Sequence, residues 1–372
     1  VTITTDPSFM VRDPLVIDGA HGEGGGQILR TGLALAALLG RPVRFIRIRA
    51  GRRRPGLAAQ HVTAVRAAAA LCDAMLEGDE LASQELRFVP RRPVRPGSYS
   101  FDVAAAREGG SAGGACLVLQ TVLLPLALAT GRSDVLIHGG THLPQSPPFD
   151  YMWDVWLPAL GNLGIRATVA LDAWGWFPVG KGAIRAEIAG APSRPSRPAS
   201  LELLTPGPLS RITGRAVAAN LPADIARRMA DRATARLAPL ATFVDVRVEC
   251  PHASCPGAGI FLVAEYQHAR AGFSALGARG KPSEQVAEEA ADALLRHHAS
   301  GAAIDRHLAD QLLLPLALAA GPSRFTTEVA TRHLETNAWV IEQFGVARTT
   351  VWPTGTGGAL VVVTPEAPAL AR

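Results

Sequence analysis

The sequence predicts a protein of the α/β (α+β) class: a repeated α/β body whose sheets are covered by helices, with one small α/β domain inserted into it. Three observations point there. A near-identical octapeptide recurs far apart in the chain. Each copy leads from a helical pattern into a strand-like run. The spacing of the copies leaves room for one extra domain. At 372 residues the chain exceeds one ordinary core. Its 48% hydrophobic and 19% charged residues make a globular balance, not a disordered one.

The octapeptides are LPLALATG at 124–131 and LPLALAAG at 314–321, which agree at seven of eight positions. A glutamine precedes each, Gln120 and Gln311, and each leads toward a histidine, His142 in HGGTH and His333 in VATRH. A looser copy, TGLALAALLG, ends at Gly40 and runs into PVRFIRIRAG. The Leu/Ala stretches predict helices, the glycines suit helix C-caps, and the β-branched runs beyond them predict strands. Gly40 and Gly131 are 91 residues apart and Gly131 and Gly321 are 190 apart, so 99 residues remain after one unit is taken out.

That remainder reads as an insertion. After the strand-like AIRAEIAG comes a Pro/Ser/Arg linker, APSRPSRPAS. ITGRAVAANL, ADIARRMADRATARLAPL, TFVDVRVEC and GIFLVAEYQ then predict strand, helix, strand, strand. Near Lys281 the chain is expected to return to the body through a long helix, PSEQVAEEAADALLRHHAS. The expected division is residues 1–199 for repeats one and two, 200–285 for the insert, and 286–372 for the third repeat.

The net charge of +5 favours an anionic partner without requiring one. Four scattered cysteines (Cys72, Cys116, Cys250, Cys255) are too few for a disulfide scaffold, and Cys250, His252 and Cys255 make half a zinc site with no second half. A reducing, cytoplasmic setting is expected. The opening VTITTDPSFMVRDPLVIDG carries no charged segment followed by a long apolar core, so no signal peptide is expected, and Met10 is a candidate natural start. QTVLLPLALATG is short and broken by Pro125, so no membrane role is expected.

Four features could carry chemistry. In DGAHGEGGGQILR, Glu23 sits among glycines that fit neither a P-loop nor a dinucleotide fingerprint. A glycine-rich turn opening a helix presents N–H groups to an anion, or it is a structural corner with an exposed acid. In RIRAGRRRPG, strand alternation would put Arg47 and Arg49 on one face with Arg52 beyond; the cluster suits phosphates, or a solvated edge. His307 and Asp310 lie one helical turn apart with Gln311 beside them, and Gln120 would meet them if the repeats pack around a common axis. His333 falls at a strand end before another helix, a position that suits a structural or a catalytic histidine.

Taken together, DGAHGEGGGQILR, RAGRRRPGLAAQH, LVLQTVLLPLAL, GGTHLPQSPPFDY, HLADQLLLPLALA and RHLETN, in that order from Ile17 to Trp339, resemble the RNA 3′-terminal phosphate cyclase family. The resemblance implies three repeated ββαβα-like units with a small inserted α/β domain. It also implies ATP-dependent conversion of an RNA 3′-phosphate to a 2′,3′-cyclic phosphodiester, with ATP and RNA as partners. His333 matches the family nucleophile, which forms a histidine–AMP intermediate. Gln120, Pro147, His307, Asp310 and Gln311 match positions that contact the adenylate. Glu23 matches a carboxylate that helps hold a divalent metal, Mg2+ or Mn2+, while Arg30, Arg49 and Arg52 match basic residues near the phosphates. One departure stands out: in GWFPVGKG, Lys181 interrupts three consecutive glycines of the family pattern, which implies either backbone strain or an added cation on the RNA path. Competing readings are a cyclase-like factor in ribosomal RNA processing without the chemistry, an enolpyruvyl transferase of similar repeated architecture, and a plain RNA-binding module. Monomer and homodimer stay open.

Overall fold

The protein is seen in a computed structural model that describes residues 13–106, 111–191, 197–240, 243–355 and 357–366. Met10 and half of the expected Pro/Ser/Arg linker lie outside the described residues.

The first unit runs β1 (Leu15–Asp18), α1 (Gly26–Leu39), β2 (Val43–Ile46), α2 (Ala59–Cys72), β3 (Met75–Glu77) and β4 (Leu86–Val89). The second runs β5 (Ser98–Asp102), α3 (Ala115–Leu128) and β6 (Ser133–Gly139). It continues through α4 (Phe149–Tyr151), a π-helical turn (Met152–Trp156) and α5 (Leu157–Asn162), and closes with β7 (Ala167–Ala173) and β8 (Gly182–Ile188). The third opens with β9 (Glu202–Leu203) and is interrupted by the insert: β10 (Leu209–Ala219), α6 (Ala223–Leu237), β11 (Val244–Glu249), β12 (Gly257–Tyr266), β13 (Arg270–Leu276) and α7 (Ser283–Ser300). It resumes with α8 (Arg306–Ala317), β14 (Ser323–Thr327), α9 (Arg332–Gln343), β15 (Ala347–Pro353) and β16 (Ala359–Pro365).

The sheet orders are β1-β2-β4-β3, β5-β6-β8-β7 and β9-β14-β16-β15, one topology used three times. In each the first two strands are parallel and the others antiparallel. The parallel pair requires a helical crossover, whereas the last two strands need only a hairpin. Each sheet therefore carries one strand more than the ββαβα-like unit. The insert enters between the first strand and the first helix of the third unit, and its own sheet has a different order, β11-β10-β12-β13.

One core joins the three units, drawing Ile28 and Leu33 from α1, Leu119 and Leu123 from α3, and Leu312 and Leu316 from α8. Helix α3 is apolar on all sides and buried along nearly its whole length, which places it centrally. The insert has a second core that includes Ile212, Met229, Leu262, Val286, Ala290 and Leu294. The last three belong to α7, so the helix expected to lead the body beyond residue 285 packs on the insert's sheet. Its stripe at 286, 287, 290, 291 and 294 has the helical period and faces that sheet. Its other side pairs with α6, Arg228 on Glu284 (2.9 Å), Arg232 on Glu288, and Arg236 on Asp292 (3.0 Å).

Two local expectations change. Gly40 caps α1 in the left-handed conformation (φ 60°), but α3 and α8 end earlier, at Ala129 and Leu318, and the repeat glycines lie in the turns beyond. Strand β2 stops at Ile46, and Arg47 and Arg49 take φ of 51° and 53°, so they sit in a turn and not along one strand face. The Asp18 carboxylate holds Arg47 there. Lys181 likewise has a positive φ, 52°, and is exposed, so the departure from a glycine carries backbone strain. Among the described residues, no helix is long and apolar enough to cross a membrane.

Candidate active site

The site forms where α1, α3, α8 and α9 meet, one helix or two from each unit. Its construction starts at the glycine run. Gly22 and Gly24 have φ of 57° and 61°, which L side chains rarely adopt. A Cβ on Gly25 would collide with the Glu23 carboxylate, and one on Gly26 with the His61 ring. The stretch is therefore a tight strand-to-helix corner that lets acidic and basic side chains approach the backbone at the start of α1. The Glu23 N–H donates to the Thr336 hydroxyl on α9 (2.9 Å), tying this corner to the third unit.

His333 lies in the first turn of α9, whose N-cap Thr331 accepts from the Leu334 N–H (3.1 Å). Its Nδ1 is 2.7 Å from Gln27 Oε1, and Gln27 Nε2 donates to Asp310 Oδ2 at 2.5 Å. Gln27 turns its NH2 to Asp310 and its carbonyl, which can only accept, to the histidine. Nδ1 then carries the imidazole proton, and Nε2 keeps its lone pair. That Nε2 lies 3.9 Å from Glu23 Oε1, and Glu23 is paired with Arg52. Burial holds the His333 pKa below its usual 6.5, and the positive fields of Arg30, His307 and Arg52 act the same way, so the ring is neutral at pH 7.

Behind this edge lies a cavity of about 60 Å³ lined by Gln27, Arg30, Gln120, Trp156, Asp310 and Gln311, among others. Gln120 is the half-buried amide that interrupts apolar α3; its Nε2 donates to Gln311 Oε1 at 2.8 Å. Burial pushes the Asp310 carboxyl up to about 7, against the pull of Gln27 and Arg30, and lowers Arg30 to about 10 despite Asp310. Each charge is disfavoured by desolvation more than the other relieves it, so this wall gains from an added anion near Arg30. Among the described residues, the buried Trp156 Nε1 has no hydrogen-bond partner.

Helix α8 is set by Asp305, fully buried, which caps the His307 and Leu308 N–H groups (2.9 Å each) and accepts from the Tyr151 hydroxyl (2.8 Å) and the Gly272 N–H of the insert (3.2 Å).

A family model described as RNA 3′-terminal phosphate cyclase matches residues 21–351. The chain belongs to the RNA 3′-terminal phosphate cyclase family. A relative from Methylococcus capsulatus with that name is 57% identical over 350 residues, covering 93% of this chain and 95% of its own. Another so named, from Nostoc punctiforme, is 51% identical over 332 residues, 89% of this chain and 94% of its own. A crystal structure of the enolpyruvyl transferase NikO from Streptomyces tendae aligns with 49% of this chain and 33% of its own at 18% identity and a TM-score of 0.26, too low to bear on the fold.

Of the residues that the cyclase resemblance singles out, the structure joins His333, Glu23 and Arg52 along one edge, and Arg30, Gln120, Asp310 and Gln311 around the cavity. His307 does not bond to Asp310; it is exposed, with its ring edge-on to Tyr151 at 6.4 Å. Arg49 donates to the Gly56 carbonyl (2.6 Å), and its field is felt by the buried His61. Pro147 is half-buried on the loop between β6 and α4, apart from this hydrogen-bonded network.

Gln27 escaped the sequence reading although it stands inside the quoted glycine stretch. The signal was an amide in the first turn of a largely apolar helix, one turn before Arg30. Asn337, in RHLETN, was passed over in the same way; it donates to the Asp310 carbonyl (2.7 Å) and accepts from the Thr31 hydroxyl (2.6 Å).

Proposed function

We propose that the chain is an RNA 3′-terminal phosphate cyclase that uses ATP and works through a covalent His333–AMP intermediate. The observation that carries this reading is the Gln27-held imidazole, neutral and with its Nε2 lone pair directed to the Glu23–Arg52 edge. In the first step Nε2 attacks the α-phosphorus of ATP, the bond to the β-phosphate oxygen breaks, and pyrophosphate leaves. The RNA 3′-phosphate oxygen next attacks the phosphorus of the phosphoramidate and expels the imidazole, giving an RNA–adenylate anhydride. The neighbouring 2′-OH then attacks the activated 3′-phosphorus, loses its proton, and expels AMP, closing the cyclic diester. Covalent catalysis splits one hard condensation into transfers with good leaving groups, and the last nucleophile is already within the same ribose.

In this reading Arg30 and Arg52 offset phosphate charge, and Gln120, Asp310 and Gln311 engage the nucleotide. Among the described residues no three His, Cys, Asp or Glu side chains cluster as a metal site. A divalent ion therefore fits only with Glu23 and the ligand's own phosphate oxygens together, a donor set that Mg2+ accepts. When bound, it would neutralise phosphate charge. Glu23 would have to exchange Arg52 for it. A cytoplasmic setting, where ATP and RNA meet, belongs to the same reading.

The test is incubation with ATP labelled at the α-phosphate and a divalent metal, followed by a search for an acid-labile, base-stable protein adduct and for cyclised RNA ends. Absence of both favours the non-catalytic cyclase-like reading instead.

Two further outcomes are expected. Gln27→Ala removes the acceptor at Nδ1 and frees both the tautomer and the ring, so adduct formation should slow by about 10²-fold. Equal rates for Gln27→Ala and wild type in single-turnover labelling would contradict the orienting role. The second is a pH profile. The reactive form is the neutral ring, so labelling is full above the His333 pKa and lost as pH falls through it; because that pKa is lowered, the half-rate point should lie below pH 6.5. A midpoint at or above 6.5 would show that the surrounding cations do not act on this ring.

A further inference from the structure

Resting on the cyclase reading, we infer that the surface flanking His333 is a docking strip for the single-stranded RNA segment just upstream of the reacting 3′ end: Arg53, Arg54 and Arg332 take its phosphates, and the His21–Trp339 ring stack takes a base.

The strip is defined by what is left unpaired. Arg52 is engaged by Glu23, which lies 3.9 Å from His333. Arg53 and Arg54 follow it directly in an exposed turn, so their backbones lie within about 8 Å of Arg52. Arg332 immediately precedes His333 and is also exposed. Among the described residues, none of these three makes an ion pair or a hydrogen bond, although the exposed Glu335 stands one turn from Arg332. Most other exposed arginines of the chain are paired, as with Arg44 on Glu85, Arg66 on Asp79 and Arg348 on Glu366. Three unpaired guanidinium groups, two beside Arg52 in sequence and one beside His333, suit the phosphates of a strand that must end there.

The stacking element is independent of charge. The His21 ring lies parallel to Trp339, 13° between planes and 3.8 Å between centroids, and His21 is exposed. Trp339 is six residues beyond His333 on α9, about 9 Å along the helix axis at 1.5 Å per residue. That is the reach of one or two nucleotides from the terminal phosphate. The glycine corner fixes the arrangement, since Glu23 hangs on Thr336 and His21 falls one turn further along the same helix. A base laid on the His21 ring would extend the stack, and because every base has a π-face, this contact is tolerant of sequence.

The experiment separates this surface from the chemistry. Labelling of His333 by ATP alone reports the nucleotide site; cyclisation of a single-stranded oligoribonucleotide 3′-phosphate reports RNA engagement. For His21→Ala the KM for the oligonucleotide should rise about tenfold, with ATP labelling and kcat unchanged, and His21→Phe should restore it. For Arg53→Glu/Arg54→Glu the KM should rise at least about tenfold, and the slope of log KM against log salt should fall by about 1.4, two phosphate contacts' worth. Unchanged KM in His21→Ala or in the Arg double variant, with ATP labelling intact, overturns the docking strip and leaves the cyclase reading standing. No labelling in wild type overturns the cyclase reading itself.

Discussion

His333→Ala is expected to give a folded protein that takes no label from ATP and cyclises no RNA ends, a loss of at least about 10⁴-fold. The side chain is half exposed and has one hydrogen-bonded partner, Gln27, so its removal should change stability little. Alanine is also a good helix former in the first turn of α9. The chemical cost is of another order. Glu23, Arg52 and Gln27 all act on the imidazole or on the phosphates brought to it, and without the ring they have nothing to orient. The double variant His333→Ala/Gln27→Ala should therefore be no slower than His333→Ala alone, since residues that serve one step fail together. Label in His333→Ala equal to wild type would remove the ring from the reaction. Additive losses in the double variant would mean that Gln27 acts elsewhere.

Asp150→Ala is expected to cost about 3–5 kcal/mol of stability, because it strips a buried seam of the carboxylate that binds both His142 and Arg215. Asp150 is 3% exposed; it binds His142 Nε2 at 2.7 Å and Arg215 Nε at 2.7 Å. Arg215 comes from β10 of the insert, also pairs with Asp154, and sits 5.0 Å over the Trp153 ring. His142 is fully buried, stacked on Trp174 at 4.5 Å and Trp176 at 4.8 Å, with Nδ1 2.8 Å from the Thr141 hydroxyl. The Thr141, His142 and Asp150 row resembles a proton relay in its connectivity, but it is sealed from solvent and from the cavity, and it serves to dock the insert on the second unit. Removing the carboxylate leaves a guanidinium and an imidazole with unmet donors in a dry place. Denaturant unfolding measures the loss; Asp150→Asn, which keeps one acceptor, should lose less. A change below about 1 kcal/mol for Asp150→Ala would mean that water reaches the seam.

Much of the architecture was legible because it repeats. The octapeptides at 124–131 and 314–321 fall in α3 and α8 and the turns after them, and the leftover spacing corresponds to an insert with its own core. The strand, helix, strand, strand reading of the insert matches β10, α6, β11 and β12. The end of the insert was misread because α7 is amphipathic, and an apolar stripe states that a helix packs without saying on which sheet. The turn at Arg47 and Arg49 was misread because β-branched and Arg alternation predicts an extended chain, while the Asp18 carboxylate and the Gly56 carbonyl favour a left-handed turn. The first signal comes from outside the segment, and the second from its far end.

The site divides in the same way. By itself the sequence determined the residue types that the chemistry needs and their order along the chain: an acid among glycines, an arginine run, paired glutamines at matching helix positions, and a histidine before a helix. Those are local facts, set by backbone freedom, charge and period. Only the tertiary structure decided that Gln27 spans from Asp310 to His333 and so leaves Nε2 free, that Gln120 meets Gln311, and that Arg52 pairs with Glu23 beside the nucleophile. Hydrogen bonds and desolvation depend on distance in space, and these partners lie on different units, brought together by burial of one shared core.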